Sequence, residues 1–360
     1  MQTTAAITDV ELSQDGPIAG SIPKSMGIIL MKVVQFSRFG RPDDVVECIA
    51  VDDPPAPAAD EVALEVLAFP INPADLLTIE GRYAVRPSLP SRVGAECVAR
   101  VSAVGRTVDD LRAGDLVIPL DRDNWVQRKT AKAGRVIKVP AHVDPLQLAM
   151  LKVNPPTAWL MMTDYVDLAP GEWILQDAAN SGVGQCLIQL AKAEGYKTVN
   201  IVRREGLADE LIRIGADAVL VDGSNLAERV AAATRDAPIR LAIDAVGGNQ
   251  IVRFGDALAN EATVVTYGLL SGENPQLTPH QCIFKQICLT GFWLMPRLQK
   301  MPHERIVTLY DRLASRLADG SVHVPVQGTF PIEDIKKAVA LTHGYGRAGK
   351  VLVTPNGPVS

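Results

Sequence analysis

An α/β chain in two parts, a doubly wound parallel sheet joined to a β-rich domain, is what the sequence predicts, on three observations. Short β-rich runs punctuated by Pro and Gly fill residues 62–139. From Trp173 onward strand-like and helical runs alternate, and a last run, "GKVLVTP", stands too isolated to fold alone. With 360 residues the chain exceeds what one core usually organises, so two domains are expected.

In order along the chain, the first thirty residues hold Asp9, Glu11 and Asp15 against Lys24 alone, unlike a basic, acid-poor leader. They read as a disordered tail over 1–30, and "MKVVQFSRFG" from Met31 reads as a first strand and a second place where translation could begin. "EVALEVLAF", "CVARVSAVG", "GDLVIPL" and "GRVIKVP" then predict a compact all-β unit. After "PLQLAMLKVNPPTAWLMMTDYV" the period changes. "WILQDA", "TVNIVRR", "AVLVDG", "LAIDAVG" and "ATVVTYG" alternate with "GQCLIQLAKAEG", "LADELIRIGA", "LAERVAAATR" and "IVRFGDALA", the pattern of βαβ units and a parallel sheet. Beyond "LTGFWLM" a helical stretch, "PHERIVTLYDRLASRLADG", leads to the isolated last strand, which is expected to return to the first domain.

Composition narrows the function. Apolar residues make up 47%, charged residues 21%, and the net charge of -5 offers no general basic surface for nucleic acid. Cys48, Cys97, Cys186, Cys282 and Cys288 are odd in number and lack C-x-x-C spacing, which argues against a disulfide framework or zinc knuckle and suits a reducing, cytoplasmic setting. No apolar run is long enough for a membrane span.

The stretch "QDAANSGVGQ", 176–185, nearly spells a dinucleotide-binding loop, with Ala179 and Ser181 where the first two glycines would stand. "WILQDA" supplies the strand and "GQCLIQLAKAEG" the helix, leaving Gly182 and Gly184 where close backbone approach is needed. Ala179 and Ser181 are small enough to serve provided φ stays negative there. An ordinary strand-to-helix turn reads the loop equally well. Where an NAD site would carry an acid, "TVNIVRRE" places Arg203 and Arg204, which suit a 2′-phosphate and hence NADPH, next to a less welcome Glu205. A second glycine string, "GYGRAGKV" from Gly344, mimics a P-loop. Val351 stands in place of the metal-binding hydroxyl and a strand follows, so it is not an ATP site.

An all-β segment, a nucleotide-binding segment and a returning tail together resemble the medium-chain dehydrogenase/reductase superfamily. "NPAD" (72–75) and "GAE" (94–96) stand where zinc-dependent members carry their ligands, and His142, His280, His303, His323 and His343 lack ligand spacing, so no metal is expected. "INPADLLTIEGRY", "VNPPTAWLMMTDYVDLAPGEWILQDAANSGVGQ", "VNIVRR", "VTYGLL" and "IFKQICLTGFWL" resemble the zinc-free mitochondrial-type trans-2-enoyl thioester reductases. That resemblance implies a GroES-like β-rich catalytic domain over 31–154 and 296–360, and a Rossmann NADP-binding domain over 155–295. It implies a homodimer paired through the nucleotide-binding sheets, working in fatty acid metabolism. It assigns the pyrophosphate loop to Asn180, Ser181, Gly182, Val183 and Gly184, and the 2′-phosphate to Arg203 and Arg204. Asn154 would lie beside the cofactor, Tyr267, Gly268, Leu269 and Leu270 with Phe292, Trp293, Leu294 and Met295 around the nicotinamide half, and Lys350 would reach back to the same molecule. "GAEC", Glu205 and "RDNWVQ" depart from the family pattern, which bears on the substrate.

Reducing a conjugated C=C takes a hydride at the β-carbon, a donor for the enolate oxygen and a proton for the α-carbon. Tyr83 of "EGRY" is the candidate donor, with Arg82 and Arg86 near it in sequence; a tyrosine packed on a loop is the competing account. Asp75 and Glu96 could form an acid/base pair, or cap turns and helices. Trp125, Trp159 and Trp293 could line an acyl pocket or belong to the core. Arg82, Arg86, Arg92 and Arg122 could receive an acidic carrier or coenzyme A phosphates, or be solvated. Two rivals stay open, a quinone or alkenal reductase of the same superfamily and a cofactor-binding protein without catalysis.

Overall fold

The computed structural model describes residues 30–344 and 349–359. The tail expected over 1–30 lies outside the described residues except for Leu30, which opens the first strand, and so do residues 345–348 of the "GYGRAGKV" string.

Eight strands build the β-rich part: β1 Leu30–Phe36, β2 Val46–Asp52, β3 Glu61–Pro70, β4 Ser91–Arg92, β5 Val98–Val104, β6 Leu116–Pro119, β7 Arg128–Lys132 and β8 Val136–Lys138. In β3 the side chains of Val62, Leu64 and Val66 point inward at alternate positions, as the period-2 pattern requires. The sequence shows no such alternation in β7, "RKTAK", which pairs antiparallel with β3; Lys132 bonds Glu61 opposite it and Asp60, and Arg128 pairs with Asp53.

The second part is a six-stranded sheet of β9 Trp173–Gln176, β10 Lys197–Val202, β11 Ala218–Val221, β12 Ile239–Asp244, β13 Thr263–Thr266 and β14 Cys288–Gly291. Its order is β11-β10-β9-β12-β13-β14 with every pair parallel. The chain direction across the sheet therefore reverses between β9 and β12, and the crevice beyond the carboxyl ends of these two strands is where such sheets bind nucleotides.

Two last strands, β15 Val326–Phe330 and β16 Lys350–Val353, rejoin the β-rich part, where Leu352 of β16 faces Pro70 of β3. The core does not divide at residue 295. One apolar cluster joins Leu67 and Val98 of the β-rich part to Ile174 and Leu241 of the parallel sheet. Tyr310 and Leu313 of the helix His303–Ala318 belong to the same cluster. The helix Asn154–Thr163 packs along the helix Gly182–Ala193.

Candidate active site

The glycine loop leaves β9 at Gln176 and enters the helix Gly182–Ala193 at its Ser181 N-cap, whose hydroxyl accepts from Gly184 N at 3.1 Å. Left-handed geometry falls on Ala178 (φ 44), one residue before Ala179, while Ser181 keeps φ at -74. The N–H groups of Gly182 and Val183 have no acceptor among the described residues, the ordinary state of a helix N-terminus that an anion can occupy. Both glycines are dictated by close approach. A Cβ on Gly184 would lie 2.6 Å from the Ala179 carbonyl oxygen and 2.7 Å from that of Ala178; a Cβ on Gly182 would lie 2.6 Å from Asn154 Nδ2.

That Asn154 amide is buried without a hydrogen-bond partner. A buried donor left unmade costs about 1–3 kcal/mol, and this one points toward the loop that would cradle a pyrophosphate. The residues thus fit a dinucleotide. At the end of β10, Arg203 and Arg204 are exposed and form no ion pair among the described residues. Glu205 is not bonded to either of them.

On the far side of the crevice the picture is mixed. Tyr267 is held above the ordinary phenol range by burial, with Asp177 adding to the rise and Ser181 opposing it. Gly268 passes so close to β12 that a Cβ would meet the Ala245 oxygen at 2.5 Å. Leu269 and Leu270 are exposed. Of the residues expected around the nicotinamide half, Phe292 and Leu294 turn their side chains into the core and present main chain to the crevice, while Trp293 and Met295 line an open cavity.

This cavity, of about 410 Å³, lies between the two parts of the fold. Thr78, Tyr83, Val93 and Arg122 line it from one side, Trp293 and Met295 from the other. Trp293 Nε1 donates to the Tyr83 oxygen at 3.0 Å, with the rings edge to face at 6.2 Å. The Tyr83 O–H donates to no acceptor among the described residues and remains available to a ligand. The arginines near it in sequence are engaged elsewhere: Arg82 pairs with Glu80 at 3.0 Å and Arg86 lies over Phe39 at 4.2 Å. Arg122, 39 positions on in the chain, lies over the Tyr83 ring at 5.5 Å. Of the three tryptophans, Trp125 stacks on Phe69 in the core and Trp159 is buried, leaving Trp293 at the cavity.

Asp75 and Glu96 are structural. Asp75 accepts from Asn72 N at 3.0 Å and Ala95 N at 2.8 Å, closing the capping box of the helix Pro73–Ile79. Glu96 accepts from Asn72 Nδ2 at 2.8 Å and Val153 N at 2.9 Å, and burial raises its carboxyl to about 7. Lys350 Nζ donates to Asn72 Oδ1, and its stem lies 3.7 Å from the Cβ position of Gly182, so the lysine reaches from β16 to the nucleotide loop. The oxygens where a zinc would be sought thus serve amide and ammonium donors. Among the described residues no cluster of three or more metal-ligating side chains occurs.

Three buried groups here carry no motif and escape sequence reasoning. Lys152 donates to the carbonyls of Ala95 and Asp121, and burial lowers its ammonium to about 7. Asp177 and Asp244, at the ends of β9 and β12, fasten the turn after β12 by accepting from Ala245 N at 2.7 Å and Gly247 N at 2.8 Å. Burial, with Asp244 beside it, holds the Asp177 carboxyl well above the usual range. The only signal for this pair was an acid closing each of two apolar runs, "WILQD" and "LAID".

Comparison with known proteins agrees with this geometry. The family model of the alcohol dehydrogenase GroES-like domain matches residues 58–144 and that of zinc-binding dehydrogenases matches 182–311. The human mitochondrial enoyl-[acyl-carrier-protein] reductase is 33% identical over 331 residues, covering 90% of this chain and 88% of its own. Among solved structures, a putative NADPH:quinone reductase from Bacillus thuringiensis superposes with a TM-score of 0.84 at 28% identity, covering 91% of this chain and 99% of that one. The complex of Etr1p with NADP and crotonyl-CoA gives 0.82 at 25%, covering 91% and 100%. On this evidence the chain belongs to the medium-chain dehydrogenase/reductase superfamily, in the branch of the enoyl thioester reductases.

Proposed function

We propose that the protein is an NADPH-dependent reductase of activated C=C bonds that acts on trans-2-enoyl thioesters. The observation that carries this reading is the Tyr83–Trp293 pair, contributed by the two parts of the fold to one cavity, with an O–H that no protein acceptor takes. Bound in the crevice, NADPH supplies the hydride for the β-carbon. Gly182, Val183 and Ser181 offer main-chain and hydroxyl groups to its pyrophosphate, Asn154 an unpaired amide, and Arg203 and Arg204 two guanidiniums for its 2′-phosphate. Tyr83 donates to the thioester oxygen, where negative charge develops, because its own oxygen already accepts from Trp293 and its proton is directed elsewhere. The α-carbon then takes a proton from solvent, which the open cavity admits.

Tyr83→Phe tests the role: turnover should fall about 10²-fold with NADPH affinity unchanged, and full activity would remove Tyr83 from the mechanism. Arg203→Ala with Arg204→Ala should abolish the preference for NADPH over NADH, and a wild-type preference for NADH would refute the 2′-phosphate assignment. The likeness to a quinone reductase favours one second reading, reduction of small quinones or enals in the same cavity. A panel of crotonyl-CoA, a small quinone and an enal, read by loss of NADPH absorbance, separates them. We further infer a role in fatty acid metabolism and a homodimer. In support of the dimer, β14 is one of the two edge strands of the parallel sheet and among the described residues pairs with β13 alone. The five free cysteines suit a reducing compartment such as the cytoplasm.

A further inference from the structure

Of the four arginines that could meet an anionic carrier, two are engaged and two converge. Arg82 pairs with Glu80 and Arg86 covers Phe39, whereas Arg92 and Arg122 line the Tyr83 cavity and also a second cavity of about 330 Å³ that opens beside it. The second cavity has a different character. Its charged lining is Arg92, Arg122, Arg128 and Lys129 against Asp121 and Asp123. With Arg128 paired to Asp53 just outside the lining, Arg92, Arg122 and Lys129 face Asp121 and Asp123, a local excess of positive charge in a chain whose net charge is -5.

The cations are held in place. Lys129 donates to the Arg122 carbonyl at 2.8 Å and to Asn124 Oδ1 at 3.0 Å, fixing the loop that carries Arg122. Arg128 is braced by Asp53. Asp121 faces Arg135 at 3.5 Å, outside the cavity lining, which reduces its pull on the cations inside. Arg92 and Arg122 form no ion pair among the described residues. Two unpaired guanidiniums at the junction of a reaction cavity and a cationic one form a site for a strongly acidic group joined to the reacting part of the substrate by an arm.

We propose that this second cavity binds the phosphate carried at the far end of the substrate's pantetheine arm, with Arg92 and Arg122 as its principal donors. The inference rests on the thioester reading above. Coenzyme A and a phosphopantetheinylated carrier protein both present that group, so the shared chemistry is a phosphate ester on a pantetheine thioester.

The test compares crotonyl-CoA, the crotonyl thioester of an acyl carrier protein, and crotonyl-N-acetylcysteamine, which has no phosphate, with wild type and Arg92→Gln. Arg92 is exposed and pairs with Gln35 through the backbone, so its side chain can change without loss of the fold. The wild-type KM should rise with ionic strength for the phosphate-bearing substrates and stay level for N-acetylcysteamine. Because Arg92 also borders the reaction cavity, the reading is a difference: Arg92→Gln should raise KM for the phosphate-bearing substrates about 5-fold more than for N-acetylcysteamine. If only one phosphate-bearing substrate responds, the subsite stands and that carrier is the source. An equal rise for all three thioesters, or no rise for any, overturns the subsite. Failure of the thioester reading is separately visible, because wild type would then reduce none of the three. Calorimetric binding of free coenzyme A to wild type and Arg92→Gln decides the subsite even then: equal affinity refutes it.

Discussion

Gly182 and Gly184 stand two residues apart in one turn of helix, and replacing each by alanine should damage different things. At Gly184 the new methyl would meet two main-chain oxygens at 2.6 and 2.7 Å, on the segment that carries Ala178 at φ 44. Neither can move without pulling β9 away from the helix, so overpacking of about 1–3 kcal/mol is expected, or roughly 2–10 °C in Tm for a domain of this size. At Gly182 the methyl would meet the end of one side chain, the Asn154 amide, which has no hydrogen bond to lose. Alanine gains up to about 1 kcal/mol of helix propensity at either site, so Gly182→Ala should melt within a few degrees of wild type. Its NADPH affinity should nevertheless fall about 10-fold or more, because the displaced amide is a donor offered to the nucleotide. Thermal unfolding without nucleotide and fluorescence titration with NADPH measure the two effects. Should Gly182→Ala melt as low as Gly184→Ala, or bind NADPH like wild type, the assignment of Asn154 to the cofactor fails.

Trp293→Phe keeps the aromatic wall and deletes the N–H that orients Tyr83; steady-state kinetics should show kcat reduced about 3- to 10-fold with the KM for NADPH unchanged. Glu96→Gln should flatten the pH dependence of stability in one window. The native carboxyl is raised to about 7, so the fold holds this proton more tightly than the unfolded chain does. Stability therefore falls as pH rises from about 4.5 to 7, by at most about 3 kcal/mol. Denaturant titrations at pH 4.5 and 7 should show that loss in wild type and not in the variant.

The alternating runs from Trp173 onward were legible because each buried strand and each amphipathic helix carries its own period, and the β10 arginines because strand end and spacing coincide. β7 was not legible. "RKTAK" has no apolar alternation and becomes a strand by pairing with β3, its cations taken up by Glu61, Asp60 and Asp53, two of them outside that strand. Tyr83 could be named from "EGRY", but its partner Trp293 lies 210 residues away and the overlying Arg122 in a different loop, so sequence neighbours pointed to the wrong arginines. Lys152 was invisible for a related reason: a lysine in a run such as "LAMLKVNPP" reads as solvated until two carbonyls from distant loops close on it.

These distant closures connect the site. Lys350 of β16 holds Asn72, Asn72 holds Glu96, and Glu96 holds the backbone of Val153, one residue before the unpaired Asn154 that faces Gly182. Lys152 ties the same junction to the loop of Asp121, beside Arg122. Removing one member of such a buried charged set strands the others, which typically costs about 3–5 kcal/mol, so the set moves as a unit or not at all. It follows that substitutions at Asn72, Glu96 or Lys350 should shift nucleotide affinity and turnover together. Changes at Trp293 or Arg92, which lie outside the set, should leave nucleotide affinity as it is.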